Sequence, residues 1–406
     1  MQGRTLTSMR SSSFILICIL AFMMMLSHGT ATPILPIYAK SLGAPIWLVG
    51  VTVSSFFVFR AIFEIPAGAM YAKVGWRTPI LLSMATQGAA AAAAFFTSDI
   101  RVLITARMVS GIGTAVFFLT AFSFIASSSP RGSHGRFIGT FQGIEYLGQI
   151  VGSMAAGLVA EKIEPRAVFL FSALIVALGA AVAVPLCRGE QVQLDTRGAR
   201  NSNNIAKAPM WTILKMPPVY VASTVILVSS FAYQGMVSTV LPLYVNLELA
   251  QSLIFLGFLS MCMSVGQTAA MFLGGPLADR IGYRRVLALM IALSAIAMPL
   301  FSQFRSMEQL VALSLILGVA GGLTFTVSIA LIGSEVVSEH IASGIAIYRT
   351  VMDLGGLAGP FVMATMTDSY GYGMGFTFAG ATLAIPWLLL AKNSIARPRS
   401  SVERER

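Results

Sequence analysis

Several ionisable side chains interrupt long apolar stretches of this sequence, where charge is costly if those stretches cross a membrane. These side chains are His28, Arg60, Glu64, Arg107, Glu145, Arg349 and Asp353. A charged group near the centre of a lipid bilayer costs about 2.5–3.5 kcal/mol on insertion scales. Ionisable groups that occur despite this cost are typical of sites that bind a polar ligand or carry a proton.

Three of these side chains are carboxyl groups, and we predict that Glu64, Glu145 and Asp353 carry protons. Low-dielectric surroundings favour a neutral carboxyl group, whereas a nearby arginine favours the carboxylate. Arg60 lies four residues before Glu64, on the same face of a helix. Arg349 has the same spacing from Asp353. The alternative for both pairs is a fixed ion pair that only joins neighbouring helices.

The remaining polar candidates donate or accept hydrogen bonds. Arg107 is predicted to take part in proton coupling, as a charge partner of these carboxyl groups, or to bind an anionic substrate. Arg60 and Arg349 are predicted to be charge partners or to bind an anionic substrate. His28 is predicted to be a charge partner or to bind substrate, because histidine titrates near neutral pH. The alternative for His28 is a hydrogen-bonded structural role. Two glutamines complete the predicted site, Gln142 and Gln267. The aromatic run 56–59 is predicted to face lipid or the core instead.

The elements that must position these groups are long apolar segments. Of the 406 residues, 56% are hydrophobic and 11% are charged, whereas soluble domains carry about 25% charged residues. About 12 apolar blocks are long enough to cross a bilayer. They lie at 14–38, 47–71, 78–97, 102–126, 138–160, 165–187, 217–244, 251–277, 286–304, 308–333, 342–367 and 374–392. Because lipid offers no hydrogen-bond partner to the backbone, these blocks are predicted to be transmembrane helices.

The net charge of +11 is distributed unevenly along the chain. The basic residues lie mainly in the two termini, in the polar stretch 188–215 and in alternate loops. This distribution follows the positive-inside rule and predicts that both termini lie in the cytoplasm. It therefore indicates membrane topology and not a nucleic-acid partner. The short loops favour a prokaryotic inner membrane.

Two halves of the chain share sequence landmarks at a nearly constant distance. "LPIY" at 35–38 recurs as "LPLY" at 241–244, and "GAMYAKVGWR" at 68–77 recurs as "GPLADRIGYR" at 275–284. Three further glycine pairs are 207 residues apart: Gly111 and Gly318, Gly148 and Gly355, Gly152 and Gly359. This pattern predicts two six-helix repeats, 1–187 and 216–406, joined by a cytoplasmic linker at 188–215. A bundle of this kind places a central cavity between its halves.

The repeated loop motif resembles that of the major facilitator superfamily, whose pattern is G-x-x-x-D-R/K-x-G-R/K-R/K. The second-half copy is complete and comprises Gly275, Asp279, Arg280, Gly282 and Arg284. The first-half copy keeps Gly68, Lys73, Gly75 and Arg77. It departs from the pattern at Ala72, where the family has aspartate. The resemblance implies a cytoplasmic clasp of charges that opens and closes as the halves move.

Two helix motifs extend the resemblance to the proton-coupled and exporting branches of this family. Arg107, Gly111 and Gly113 resemble the R-x-x-x-G-x-G pattern of proton-coupled members. The fifth block resembles the antiporter signature G-x8-G-x3-G-P-x2-G-G through the glycines at 139, 148, 152 and 157, although Ser153 and Ala156 depart from it. An intact Gly359-Pro360 occupies the matching place in the eleventh block.

The resemblance implies a monomeric secondary transporter that works by alternating access, with protons entering as a small, drug-like molecule leaves. Two alternatives remain open: an uptake symporter or facilitator for a sugar or organic anion, and a non-transporting membrane sensor. The exporter hypothesis predicts that Gly148, Gly152 and Gly157 share one face of their helix, toward the other half. The sequence contains neither a phosphate-binding loop nor zinc-ligand spacing. We therefore expect no enzyme activity and no cofactor apart from the coupling proton.

Overall fold

The described residues of the computed structural model, 11–129, 134–187 and 210–395, have only helical regular secondary structure. The helices of the first half are α1 (Ser11–Ala31), α2 (Leu35–Ser41), α3 (Ile46–Val74), α4 (Arg77–Phe96), α5 (Ile100–Ser128), α6 (His134–Lys162) and α7 (Ala167–Cys187). Those of the second half are α8 (Met210–Leu214), α9 (Pro217–Gly235), α10 (Leu241–Leu243), α11 (Leu253–Ile281), α12 (Tyr283–Leu300), α13 (Met307–Glu335), α14 (Ser338–Tyr370), α15 (Tyr372–Thr382) and α16 (Ala384–Ile395).

Eleven stretches of the described chain are long and apolar enough to cross a membrane. They confirm eleven of the predicted blocks, with small shifts at their ends. The remaining block falls in α14, whose 33 residues are also long enough for a crossing. Arg349, Asp353 and several glycines make α14 less apolar than the other eleven. The fold is therefore all-α and membrane-spanning, as the sequence predicted.

The chain divides into two compact units. The first unit comprises Met1–Asn204 and Leu241–Ser264. The second comprises Ile205–Val240 and Val265–Arg406. The repeat boundaries 1–187, 188–215 and 216–406 stay a prediction, and residues 188–209 of the linker lie outside the described residues.

In the first unit, α1 packs between α6 and α7, α3 packs against α5, and α4 contacts both α5 and α7. A buried cluster that includes Met24, Trp76, Phe117 and Phe141 fills the space between these helices. The Ser27 hydroxyl of α1 and the Ser172 hydroxyl of α7 share a buried hydrogen bond of 2.5 Å. Burial of these apolar faces and pairing of the polar groups hold the helices at fixed distances.

In the second unit, α9 packs along α14, and α12 contacts α13, α15 and α16. Gly355 and Gly359 bring α14 close to α9. A Cβ atom at either glycine would overlap a backbone carbonyl oxygen of α9, that of Leu227 or that of Phe231. Such small-residue contacts are how helix backbones approach closely in a membrane.

The segment that follows α9 is irregular. Two π-helical turns, Met236–Val240 and Tyr244–Glu248, flank the three residues of α10. Each π turn contains one residue more per hydrogen-bonded ring than an α turn. The first turn holds polar side chains inward, and the Ser238 hydroxyl donates to the Gln234 amide oxygen at 2.8 Å.

Candidate functional site

An aromatic ring stands at the centre of the candidate site in the first unit. The Phe56 side chain of α3 is 3% exposed. The Arg107 Cζ atom lies 4.9 Å from the centre of its ring, and the Arg60 Cζ atom lies 5.9 Å from it. The His28 ring centre is 5.2 Å away. We call these four residues the Phe56 cluster.

The α3–α5 contact sets the height of Arg107 beside Phe56. Gly111 follows Arg107 by one turn of α5, and a Cβ atom there would overlap the Phe56 carbonyl oxygen. It would also lie 3.1 Å from the Arg60 backbone nitrogen. Only glycine permits this approach, which brings the side chains at 56, 60 and 107 to one level of the bundle.

The α1–α6 contact positions His28 in a similar way. A Cβ atom at Gly152 would lie 2.5 Å from the Leu26 carbonyl oxygen, and one at Gly148 would overlap that of Phe22. On the other side of the same contact, a Cβ atom at Gly29 would lie 2.8 Å from the Gln149 carbonyl oxygen. The two helix backbones are therefore almost in contact where α1 carries the histidine.

The cluster contains buried polar atoms that find no partner in the described part of the chain. Arg107 is 6% exposed, and its Nε atom has no hydrogen-bond acceptor there. The buried Nδ1 atom of His28 likewise has no partner among the described residues. An arginine side chain in a protein does not deprotonate. The cluster therefore holds permanent positive charge in a low-dielectric bundle.

The structure thus brings together three of the predicted site residues, His28, Arg60 and Arg107. The aromatic run 56–59 was predicted to face lipid or the core. Phe56 does lie in the core, but its ring also contacts the guanidinium groups of Arg60 and Arg107. The four-residue spacing from Phe56 to Arg60 is the signal that could have identified it, since it places both side chains on one helix face.

The other predicted residues of the first unit lie on the same helices. Glu64 lies one turn beyond Arg60 on α3 and is half-buried, as are Gln142 and Glu145 on α6. Their positions within membrane-spanning helices agree with the sequence analysis. Their roles in proton transfer or binding stay a prediction.

In the second unit, Asp353 of α14 is the most deeply buried carboxyl group of the predicted set, at 1% exposure. Arg349 lies one turn before it and is half-buried. Gln267 of α11 is half-buried, and its carbonyl oxygen is so close to α13 that a Cβ atom at Gly322 would overlap it. Pro360 is buried within α14, beside the close contact of Gly359 with α9.

The second copy of the loop motif forms a polar network. The Tyr283 hydroxyl donates to the Asp279 carboxylate at 2.6 Å. The Arg284 guanidinium donates to the Glu335 carboxylate at 2.8 Å and so joins the start of α12 to the end of α13. Arg280 is exposed. Gly282 has a φ of +100°, a backbone conformation that favours glycine.

The first copy of the loop motif is held differently, in keeping with the alanine at 72. Gly68 belongs to α3, Lys73 is exposed, and Gly75 has a φ of +75°. The Trp76 ring packs against Phe124 at 5.1 Å, and the Arg77 Cζ atom lies 5.7 Å from the Trp76 ring centre. The first copy thus contributes aromatic packing at Trp76 and Arg77.

The prediction that Gly148, Gly152 and Gly157 share one face of α6 is wrong. Gly148 and Gly152 face α1, whereas a Cβ atom at Gly157 would overlap the Leu253 carbonyl oxygen at the start of α11. The physical reason is helical periodicity, because a position five residues beyond Gly152 lies on the opposite side of the helix.

A carboxylate accompanies this contact between α6 and α11. The Glu161 side chain accepts a hydrogen bond of 2.7 Å from the Leu253 backbone nitrogen. A Cβ atom at Gly257, one turn into α11, would lie 2.9 Å from the Gly157 Cα atom. Glu161 thus satisfies one of the free N–H groups at the start of a helix, where negative charge is favourable. No motif in the sequence indicates this contact.

Comparison with known proteins accounts for the repeated architecture. The family model for the Major Facilitator Superfamily matches residues 17–250 and, a second time, residues 225–406. Curated relatives include the multidrug resistance protein MdtG of Escherichia coli O9:H4 (strain HS), with 28% identity over 353 residues and 84% of each chain covered. MdtG of Rahnella sp. (strain Y9602) is 26% identical over 350 residues, covering 84% of this chain and 83% of the relative.

Solved structures share the fold at low sequence identity. A bacterial homologue of the human lysosomal transporter Spinster, in an inward-facing and occupied conformation, has a TM-score of 0.77 at 15% identity, with 96% of this chain and 97% of that chain covered. The human organic anion transporter MFSD10 (TETRAN) has a TM-score of 0.65 at 16% identity, with 93% and 98% covered.

Proposed function

The chain belongs to the Major Facilitator Superfamily, and we propose that this secondary transporter couples proton entry to the export of small, drug-like molecules. The coupling would use alternating access of the two repeats. The observation that carries the proposal is the Phe56 cluster, which keeps a permanently charged Arg107 inside a membrane-spanning bundle despite the cost of burial.

Two further observations support coupling and export. The second unit contains Asp353, a buried carboxyl group on a membrane-spanning helix, and ionisable groups in such helices are typical of proton pathways. Export is supported by the relatives that match most of the chain, which are named multidrug resistance proteins, although the glycine-face prediction of the exporter hypothesis is wrong. We propose that Asp353, with Glu64 and Glu145 as further candidates, takes up and releases the coupling proton.

Proton movement triggered by a compound tests this function directly. Purified protein is reconstituted into liposomes with an acidic lumen that contains a pH-sensitive dye. Cationic, neutral and anionic drug-like compounds are then added outside, one at a time. Antiport predicts that a transported compound alkalinises the lumen, because protons leave as the compound enters.

Matched variants identify the proton carrier. Asp353→Asn removes the buried carboxylate and is expected to abolish compound-triggered proton movement, and Glu145→Gln is measured beside it. Asp368→Asn is the control, because Asp368 lies on the same helix but is exposed. Compound-triggered acidification of the lumen would indicate symport instead, and the absence of any proton movement would refute proton coupling.

We also propose that the transporter is a monomer in the inner membrane with both termini in the cytoplasm. The basic residues of the termini and of the stretch 188–215 support this orientation. Reporter domains that become active on one side of the membrane only, fused after Arg406, test it. A fusion that is active on the outer side would refute the orientation.

A further inference from the structure

We propose that the Phe56 cluster binds the carboxylate of an aromatic organic anion, and this inference rests on the transport function proposed above. Arg107 would receive the carboxylate, His28 would contribute a second polar contact, and the Phe56 ring would lie against the aromatic part of the ligand. The transporter would thus prefer amphipathic anions over cations of the same size.

The state of Arg107 is the first observation. Only 6% of Arg107 is exposed, and its Nε–H group has no acceptor within the described chain. In that part of the chain, no carboxylate forms an ion pair with it either. Leaving a charged donor buried without a partner costs more free energy than leaving a neutral donor so. An anion that enters the cluster would remove this cost.

The second observation is a second guanidinium group beside the same ring. The Arg60 guanidinium lies 5.9 Å from the centres of both Phe56 and Phe57, so it stands beside the same aromatic surface as Arg107. The buried Arg107 guanidinium would repel a cationic drug and attract an anion.

A third observation concerns the polar atoms of α1 and α6. The Nδ1 atom of His28 and the Oε1 atom of Gln149 are both buried, and neither has a hydrogen-bond partner among the residues described. Gln149 reaches this region because α6 touches α1 at Gly29, where an added Cβ atom would lie 3.3 Å from the Gln149 Cδ atom. Buried polar atoms in proteins usually have a hydrogen-bond partner, and a ligand at this level of the bundle would supply one to these two.

The chemistry of these groups selects a carboxylate next to an aromatic ring. Guanidinium presents parallel N–H donors that match the two oxygens of a carboxylate. The Phe56 ring centre lies 4.9 Å from the Arg107 Cζ atom, so an apolar surface stands next to those donors. A ligand ring could pack against it, because aromatic pairs are favourable in offset or edge-to-face arrangements. An inorganic anion could pair with the Arg107 guanidinium but would make no aromatic contact with the Phe56 ring.

Three naphthalene probes of similar size and different charge test the inference on the purified full-length protein. They are 1-naphthoate, the neutral 1-naphthamide and the cationic 1-naphthylmethylamine, with affinity measured by isothermal titration calorimetry. Naphthoate is expected to bind most tightly. Arg107→Gln is expected to weaken naphthoate binding by about tenfold or more, the effect of losing one charge-assisted contact of roughly 1.4 kcal/mol or more, and to leave naphthamide binding unchanged.

Two further variants keep the test decisive. Arg101→Gln is the matched control, because Arg101 is an exposed arginine in the first turn of the same helix, and this variant is expected to bind naphthoate like the parent. His28→Gln changes the second polar contact without removing the guanidinium and is expected to weaken naphthoate binding by a few-fold. It replaces Arg107→Gln as the deciding variant if the latter elutes as aggregate in size-exclusion chromatography.

The outcomes separate the two proposals. Equal binding of the three probes, tightest binding of the amine, or unchanged naphthoate affinity in both cluster variants would overturn the anion site. If naphthoate binds as expected but moves no protons in the liposome assay, proton-coupled export fails while the anion site stands. If the amine moves protons and naphthoate does not bind, export stands and the anion site fails.

Discussion

The substitution Gly111→Ala is expected to force α3 and α5 apart and to destabilise the first unit. The added methyl group would overlap the Phe56 carbonyl oxygen and would lie 3.1 Å from the Arg60 backbone nitrogen. Both obstacles belong to the backbone, so no side-chain rotation can relieve them. Overpacking of this kind costs about 1–3 kcal/mol.

A control substitution isolates that cost. Alanine is a better helix former than glycine by about 0.5–1 kcal/mol, and this gain partly hides the overlap in Gly111→Ala. Gly139→Ala receives the same gain, because Gly139 is a helical residue of α6, but an added Cβ atom there would meet nothing within 4 Å. The difference in the free energy of unfolding between the two variants therefore equals the overlap cost of about 1–3 kcal/mol.

Equilibrium unfolding in mixed micelles measures this difference. SDS is titrated into the purified protein, and the loss of helix is followed by far-UV circular dichroism. Gly139→Ala is expected to unfold at or above the parental SDS fraction and Gly111→Ala below it. If both variants unfold at the same SDS fraction, the close contact between α3 and α5 is not the constraint that we describe.

Three further predictions concern contacts outside the Phe56 cluster. Glu161→Ala is expected to speed hydrogen exchange of the Leu253 amide, whereas Glu161→Gln keeps an acceptor and most of the protection. Mass spectrometry of the 250–257 peptide measures the exchange rate, and equal rates in both variants would contradict the hydrogen bond from Leu253 to Glu161. Gly257→Val is expected to lower the free energy of unfolding by about 1–3 kcal/mol, and unfolding at the parental SDS fraction would argue against the glycine crossing. In a double-mutant cycle, Arg284→Gln and Glu335→Gln are expected to show a coupling energy of about 1 kcal/mol or less, because both side chains are partly exposed; a larger value would mean that the pair is screened from water.

The helices could be predicted from the sequence because lipid permits so few alternatives. An apolar block of about 20 residues must satisfy its own backbone hydrogen bonds, and a helix does so. The ends of the blocks were harder to place, since polar residues at the membrane surface continue a helix without changing the hydropathy pattern. Thus the block 47–71 became Ile46–Val74, and the block 251–277 became Leu253–Ile281.

The site was only partly predictable because sequence identifies costly residues and not their neighbours. Arg107 and His28 were identified by the cost of burying them, but Phe56 has no such cost and was assigned to the core or to lipid. Glu161 does not stand out in the sequence because it lies near the end of an apolar block, where a carboxylate can reach water and its free-energy cost is small. Its partner is a backbone N–H group, and no pattern of side chains in the sequence indicates which one.

The two π-helical turns explain a small irregularity in the spacing of the repeats. Equivalent contacts put Phe22 against Gly148 and Leu227 against Gly355, so the first helices of the two repeats correspond at a distance of 205 residues. After the turn Met236–Val240, the distance between "LPIY" and "LPLY" is 206, and after Tyr244–Glu248 the starts of α3 and α11 are 207 apart. Each turn therefore marks a single-residue insertion in the second repeat relative to the first. Both extra residues lie within helical turns of the second repeat, so an alignment of the two halves should place its gaps within these turns and not in the loops.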